Sequence, residues 1–136
     1  MTVSHIARQT AASLAPPPGY AHVAIATHAR LVVTAGAVPL DAEGRLVGAG
    51  DVRAQARQTL DNLMQQLAAA GATGEDVLKT TVYVVSTDRA DLTAVWDEVQ
   101  RSPLAAAAST LLGIALLGYE GQLVEIEAIA AVPEHS

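Results

Sequence analysis

A long amphipathic helix pattern followed by a β-branched segment is the feature that most limits how this chain can fold. Apolar residues recur every three or four positions over residues 52–70, Asp51 is a suitable helix N-cap, and Gly71 stands where helices usually end. Residues 80–85 then alternate and are rich in β-branched side chains, which predicts a strand. A helix that leads into such a strand indicates a βαβ crossover, and therefore a sheet with parallel members.

The rest of the chain divides into shorter elements. Two apolar runs, residues 21–26 and 31–35, are separated by His28-Ala29-Arg30 and predict a β-hairpin. A second helix is expected to begin near Asp88 or Asp91 and to end at Ser102-Pro103. The last two strand candidates are residues 109–117 and 123–132, whereas the alanine run 105–108 suits a helix as well as a loop.

Composition restricts the partners and the compartment. The chain has 136 residues, so we expect a single domain over residues 1–136, with residues 1–16 as an N-terminal arm. A net charge of −6 without any basic run argues against nucleic acid as a partner. The chain has no cysteine, no signal-peptide pattern and no apolar run long enough to span a membrane. We therefore expect a cytoplasmic protein with no membrane partner. We expect surface histidines and no metal site, because no ligand spacing relates His5, His22, His28 and His135.

Two helices can cover only one face of a mixed α/β sheet. The strand candidates at 31–35, 80–85 and 109–117 are apolar on both alternating faces. No further element remains to cover the second face, and apolar sheet surface left in water is an association site. We therefore expect an oligomer with cyclic symmetry.

Two carboxylates in the last predicted strand share one face. Val124, Ile126, Ala128 and Ala130 point one way, so Glu125 and Glu127 point the other, about 7 Å apart. We interpret Glu127 as solvated at a sheet edge or paired with an arginine across the subunit interface. For Glu125 that interpretation stays open beside a second one, in which apolar surroundings favour its neutral form and suit it to carry a proton.

The order of several short motifs resembles the Rid/YjgF family from about Pro17 to the end of the chain. The resemblance implies a chorismate-mutase-like α/β (α+β) fold, in which two helices pack on one face of a mixed sheet and a homotrimer forms through the other. The motifs are Pro18-Gly19-Tyr20, residues 31–36, Gly50-Asp51 with Gln55, and residues 58–63, 70–72, 77–84 and 123–130.

The resemblance also implies a chemistry. Active members hydrolyse 2-imino or 2-enamino acids to 2-oxo acids and ammonia, without metal or cofactor, in clefts between subunits. An arginine holds the substrate carboxylate there, since its planar fork of donors binds a carboxylate bidentately. By similarity, Glu125 orients the water and carries the proton, the backbone near Gly36 lines the cleft, and Tyr20 closes it. Ala37 stands where the family often has glutamine.

The chain departs from the family at the arginine. Where active members have Pro-x-Arg, this sequence has Ala107-Ala108-Ser109, so Ser109, Thr110 and Leu111 occupy the expected substrate-binding position. Arg101 is the nearest arginine, eight residues earlier. Trp96 falls where a cleft-lining asparagine often occurs, although its helical spacing with Leu92 and Val99 indicates packing.

Two functions remain open at this stage. The first is an enzyme that hydrolyses or tautomerises a reactive imine or enamine without the usual carboxylate anchor, with Glu125 as proton carrier. The alternative is a noncatalytic trimer that binds a small metabolite or stabilises another protein. Endoribonuclease activity, a third label attached to the family, is disfavoured by the acidic balance and by the lack of a basic groove.

Overall fold

The computed structural model describes residues 4–134, so His135 lies outside the described residues. The helices are α1 (Val52–Ala69) and α2 (Arg89–Gln100), with one 3₁₀ turn at Gly74–Asp76. The strands are β1 (Ile6–Gln9), β2 (Val23–Ala26), β3 (Ala29–Val33), β4 (Val77–Val85), β5 (Ala108–Ile114) and β6 (Val124–Pro133). None of the helices in this part of the chain is long and apolar enough to cross a membrane.

Both helices begin at aspartate N-caps, as the sequence predicts. The Asp51 side chain accepts a hydrogen bond from the Ala54 N–H (3.0 Å), and the Asp88 side chain accepts one from the Ala90 N–H (2.9 Å). The α1 helix ends just before Gly71, whose φ of 76° is the left-handed conformation typical of a helix stop. The alanine run that was ambiguous in the sequence forms turns and then enters β5 at Ala108.

The main sheet is mixed and has the strand order β3-β6-β4-β5. Strand β6 runs antiparallel to both β3 and β4, whereas β4 and β5 are parallel neighbours joined by α2. Strands β3 and β4, which α1 connects, are therefore parallel to each other with β6 between them. The predicted crossover is confirmed, and the fold is the α/β (α+β) arrangement of two helices on a mixed sheet.

The predicted hairpin between residues 21–26 and 31–35 is wrong. Strand β2 pairs instead with β1 in a separate two-stranded sheet, and β3 pairs with β6. Between β2 and β3 the chain passes through Thr27 and His28, and His28 has a φ of 51°. The two apolar runs located both strands to within two residues but could not show that residues 6–9, within the predicted N-terminal arm, supply the partner of β2.

The helices cover one face of the main sheet and leave the other open. Alternate residues of β6 point into the core as predicted, and the side chains of Val124, Ile126, Ala128 and Ala130 are buried against the helix layer. On the opposite face apolar side chains reach solvent, with Leu31 68% and Val33 67% exposed. Leu112 and Ile129 continue this exposed surface, which we call the open face.

Two amide side chains of α1, one buried and one half-buried, fix the loops around the site. The Gln55 amide donates to the carbonyls of Gly48 (3.2 Å) and Gly121 (3.0 Å), and its oxygen accepts the Leu123 N–H (2.7 Å). Asn62 donates to two carbonyls of the loop that follows β3 (2.7 and 2.8 Å). Helix α1 therefore holds both the entry to β6 and the exit from β3.

Candidate functional site

A bulge at the end of β3 opens a space beside β6. The Thr34 N–H donates to one β6 carbonyl (3.0 Å) and the Ala37 N–H to another two residues away (2.7 Å). The two residues between them, Ala35 and Gly36, bulge out of the ladder. Gly36 has no side chain, so a carboxyl group from β6 can lie directly against its backbone.

The carboxyl group that fills this space belongs to Glu125. A Cβ added at Gly36 would overlap the Glu125 carboxyl group, which shows how closely the two residues lie. The buried Gln122 amide donates to Glu125 Oε1 (3.2 Å) and to the Val124 carbonyl (3.0 Å). Glu125 is therefore oriented on the open face by one neutral donor, which leaves acceptor capacity on the carboxylate free.

Glu127 lies on the same face, as predicted, but has a different partner. The Tyr83 hydroxyl donates to Glu127 Oε1 at 2.6 Å. This hydrogen bond, assisted by burial, raises the pKa of Tyr83 above its ordinary value. Within residues 4–134 no ion pair involves Glu127, and its hydrogen-bond partner in the single chain is the Tyr83 phenol. Pairing with an arginine of a neighbouring subunit stays a prediction.

A separate cavity of about 270 Å³ lies at the start of β5. Its lining residues are Pro18, Tyr20, Trp96, Ser109 and Leu111. We call it the aromatic pocket. The Tyr20 and Trp96 rings meet edge to face, with centroids 6.1 Å apart and planes at 76°. The Trp96 Nε1–H donates to the Pro18 carbonyl (3.1 Å), which fixes the indole.

The local chain path explains why these side chains meet. A parallel bridge joins Ala21 to Ala108, so the segment that carries Tyr20 runs along β5. Ser109 faces the helix side of the sheet, where the buried Thr80 hydroxyl donates to Ser109 Oγ (2.7 Å). Leu111 follows two residues later on the same face.

The structure divides the predicted site residues into two groups. Tyr20, Ser109 and Leu111 share the aromatic pocket on the helix side. Gly36 and Glu125 lie together on the open face. A single chain therefore does not bring Glu125 and Ser109 into one cavity.

The other two predicted residues are committed elsewhere. Thr110 points to the open face and accepts a hydrogen bond from Lys79 Nζ (2.6 Å). Ala37 is only 2% exposed, and both of its backbone groups pair with Ile126 (2.7 and 3.2 Å).

Comparisons with known proteins agree with this fold. Residues 10–132 match the family model described as endoribonuclease L-PSP, which is the Rid/YjgF family. A RutC family protein from Synechocystis is 37% identical over 127 residues, covering 92% of this chain and 95% of that protein. The chain belongs to the Rid/YjgF family. The structure of a Rid family protein of unknown function from Yersinia pestis, YyfB, superposes with a TM-score of 0.88 at 33% identity, covering 95% of this chain and 100% of that one.

One similar Rid/YjgF relative carries an activity in its name. A 2-iminobutanoate/2-iminopropanoate deaminase from Salmonella typhimurium is 46% identical over 54 residues. That match covers 40% of this chain and 41% of the deaminase. The predicted family membership and the predicted arrangement of two helices on one face of a mixed sheet are confirmed by the family match and by the similar solved structure.

Within this Rid/YjgF chain the aromatic pocket is uncharged. None of its lining residues carries a charge. Arg101, the nearest arginine in sequence, is 69% exposed at the end of α2 and pairs with Glu98 (3.5 Å). Glu98 is only 6% exposed and also contacts Arg53 and Arg57.

Sequence reasoning missed three of these features. No periodic signal marks Gln122, since its side chain reaches Glu125 from the turn before β6 rather than along the strand. Glu98 is buried in the structure, but its sequence context does not distinguish it from a solvent-exposed helical glutamate. The helical spacing of Trp96 indicated packing, but its side chain also lines the aromatic pocket. The signal for this was its position in the family pattern, where a cleft-lining asparagine often occurs.

Proposed function

We propose that this chain is a homotrimeric enzyme that hydrolyses or tautomerises a reactive imine or enamine, without metal or cofactor, and that Glu125 carries the proton. The observation that carries the proposal is the Glu125 carboxyl group, which lies against Gly36 and is oriented by the Gln122 amide. Family membership and the deaminase among the relatives point to the same chemistry. The absence of cysteine fits a reducing compartment, and we place the enzyme in the cytoplasm.

The chemistry requires one group that can take and return a proton. As a carboxylate, Glu125 removes a proton from water while the water oxygen bonds to the carbon of the C=N group. Proton transfer from Glu125 to nitrogen gives a tetrahedral amino alcohol. The carboxylate then takes the hydroxyl proton and returns it to nitrogen, so the C–N bond breaks, ammonia leaves and a C=O group remains. In tautomerisation the same carboxyl group moves a proton between the nitrogen and the carbon of an enamine. General acid–base catalysis of this kind contributes about 10²–10⁴-fold.

Assembly is part of the proposal because the two groups of site residues lie on opposite faces of the sheet. A cyclic oligomer joins unlike surfaces of neighbouring copies. It can therefore place the aromatic pocket of one copy beside Glu125 of the next, while the exposed apolar side chains of the open face become buried. The expected mass is three times 14.0 kDa, or about 42 kDa.

Substitution of Glu125 with glutamine tests the catalytic role. Two imines are generated in place, an uncharged one by an amine oxidase and a 2-imino acid by an amino-acid oxidase, and ammonia release is followed with and without the protein. We expect E125Q to lower kcat/KM by about 10²–10⁴-fold, because glutamine keeps the shape and cannot carry the proton.

The matched control is E127Q, which keeps an oxygen for the Tyr83 hydroxyl and removes the neighbouring charge. It should stay within about threefold of wild type. Equal turnover by E125Q and wild type on every accepted substrate would remove Glu125 from the mechanism.

A noncatalytic trimer that binds a small metabolite or stabilises another protein is the second candidate. The uncharged aromatic pocket favours it, because Ser109 stands where active relatives have the arginine that holds the substrate. This candidate predicts ligand binding in the pocket with no turnover above the buffer rate. The family description names an endoribonuclease, but a net charge of −6 argues against RNA as a substrate here.

A further inference from the structure

The lining of the aromatic pocket is mostly apolar and uncharged, whereas the family resemblance implies an arginine that holds the substrate. Two aromatic rings, a proline and a leucine form most of its lining, and Ser109 supplies a hydroxyl. Transferring a carboxylate from water into such a pocket is strongly unfavourable, because no opposite charge compensates for the lost hydration. An uncharged group loses little hydration there, so the pocket discriminates against anions.

The serine hydroxyl in the pocket suits a neutral acceptor. Thr80 is buried, and within residues 4–134 the partner of its hydroxyl is Ser109 Oγ at 2.7 Å. When Thr80 donates its proton there, the Ser109 proton is free to point at a ligand. A carbonyl or imine nitrogen can accept this hydrogen bond. Ser109 therefore takes over the orienting role with a neutral contact.

The size and rigidity of the pocket fit an aromatic ring. A dry cavity of about 150 Å³ is large enough for benzene, and the aromatic pocket measures about 270 Å³. The Trp96 indole is fixed through its hydrogen bond to Pro18, and Tyr20 is held edge to face between Trp96 and His22. These rings offer an aromatic group both a face and an edge without a change in their own positions.

We propose that the aromatic pocket selects an uncharged aromatic imine or enamine over a 2-imino acid, with the ring against Tyr20 and Trp96 and a neutral acceptor at Ser109. The catalytic part of this inference rests on the proposed function. The binding part does not, because recognition of the ring needs no turnover.

Binding is measured through the chain's single tryptophan, which lies in the pocket. Quenching of Trp96 fluorescence in the wild-type oligomer is titrated with benzamide and with benzoate, which share a ring and differ in charge. We expect the Kd of benzamide to be at least about tenfold lower than that of benzoate. Equal affinities, or tighter binding of benzoate, would overturn the selectivity.

Two arginine variants locate the effect. Ser109→Arg places a charge in the pocket and should reverse the preference, so that benzoate binds more tightly than benzamide. Ala68→Arg adds the same charge on the exposed side of α1, outside the lining of the pocket, and should keep the wild-type preference. If both variants changed the preference equally, the effect would come from net charge and the proposal would fail. The wild-type comparison stands even if S109R does not fold.

Turnover is measured on two imines generated in place. An amine oxidase converts benzylamine to its uncharged imine, and an amino-acid oxidase converts phenylalanine to the corresponding 2-imino acid. We expect kcat/KM for the uncharged imine to exceed that for the imino acid by at least about tenfold.

The outcomes of the binding and turnover experiments separate the two proposals. Preference for benzamide with turnover of neither imine would support the pocket and overturn the enzymatic function. Faster turnover of the imino acid, with benzoate bound as tightly as benzamide, would support the function and overturn the pocket inference.

Discussion

Replacement of Gly36 with alanine tests the carboxylate geometry most directly. A Cβ at this position would lie 2.6 Å from Cδ and 2.7 Å from Cγ of Glu125. Carbon atoms in van der Waals contact are about 3.5–4.0 Å apart, so the carboxyl group has to move by about 1 Å. Misplacing a catalytic group by about 1 Å costs on the order of 100-fold in rate, and we expect kcat/KM of G36A to fall by that factor.

The fold should tolerate the same methyl group. The glycines with positive φ lie elsewhere in the chain, so alanine can adopt the backbone conformation of Gly36. Glycine-to-alanine replacement at such a site stabilises by about 0.4–1 kcal/mol through the unfolded chain. Forcing the Glu125 side chain off its rotamer costs about 0.5–1.5 kcal/mol. The free energy of unfolding in urea should therefore change by less than about 1 kcal/mol.

The assay compares wild type, G36A, E125Q and the double variant on one imine. If alanine acts by moving the carboxyl group, the double variant should be no slower than E125Q, because that carboxyl group is already absent. A folded G36A whose kcat/KM stays within about threefold of wild type would refute the reasoning. So would full additivity of the two losses.

Three further predictions concern assembly and stability. Val33→Glu, which puts a charge on the open face, should dissociate the oligomer to 14.0 kDa chains in sedimentation equilibrium, and a trimer unaffected by it would exclude this face as the interface. Gln55→Leu should destabilise the fold by about 2–4 kcal/mol in urea, because its three backbone partners lose their hydrogen bonds; an unchanged midpoint would contradict this. Tyr83→Phe should remove an alkaline dependence of stability. The pKa of Tyr83 in the folded chain is raised above 10.0, so the unfolded chain releases that proton at lower pH. The free energy of unfolding that wild type has in excess of Y83F is therefore full below this pH and declines as pH rises through the folded pKa. A difference that grew with pH would contradict the assigned direction.

Local sequence patterns were sufficient to predict a helix or strand where its structure depends on its own residues. The spacing of apolar residues, the Asp51 cap and Gly71 predicted α1 to within a residue. Alternation along β6 placed Glu125 and Glu127 on the face opposite Ile126. These features depend on neighbours in the sequence, which is why the sequence alone contains them.

Features that depend on pairing between distant segments were not predictable in the same way. The partner of β2 is β1, and nothing in the alternation of either segment specifies that register. The faces of Ser109 and Thr110 depend on where β5 begins and on its pairing with β4, and Thr110 proved to lie on the open face. The Gln122 contact with Glu125 arises in a turn, where periodicity carries no information.

The separation of the two groups of site residues gives the fold a particular freedom. The carboxyl group is positioned by Gly36 and Gln122, whereas the pocket is positioned by the contact of Trp96 with the chain near Pro18. Within residues 4–134 the two sets share no hydrogen bond, so we expect a substitution in the pocket to leave the position of Glu125 unchanged. In the proposed mechanism the proton carrier and the group that selects the substrate are therefore held by separate contacts within one copy, and association of copies is the proposed step that brings them to one molecule.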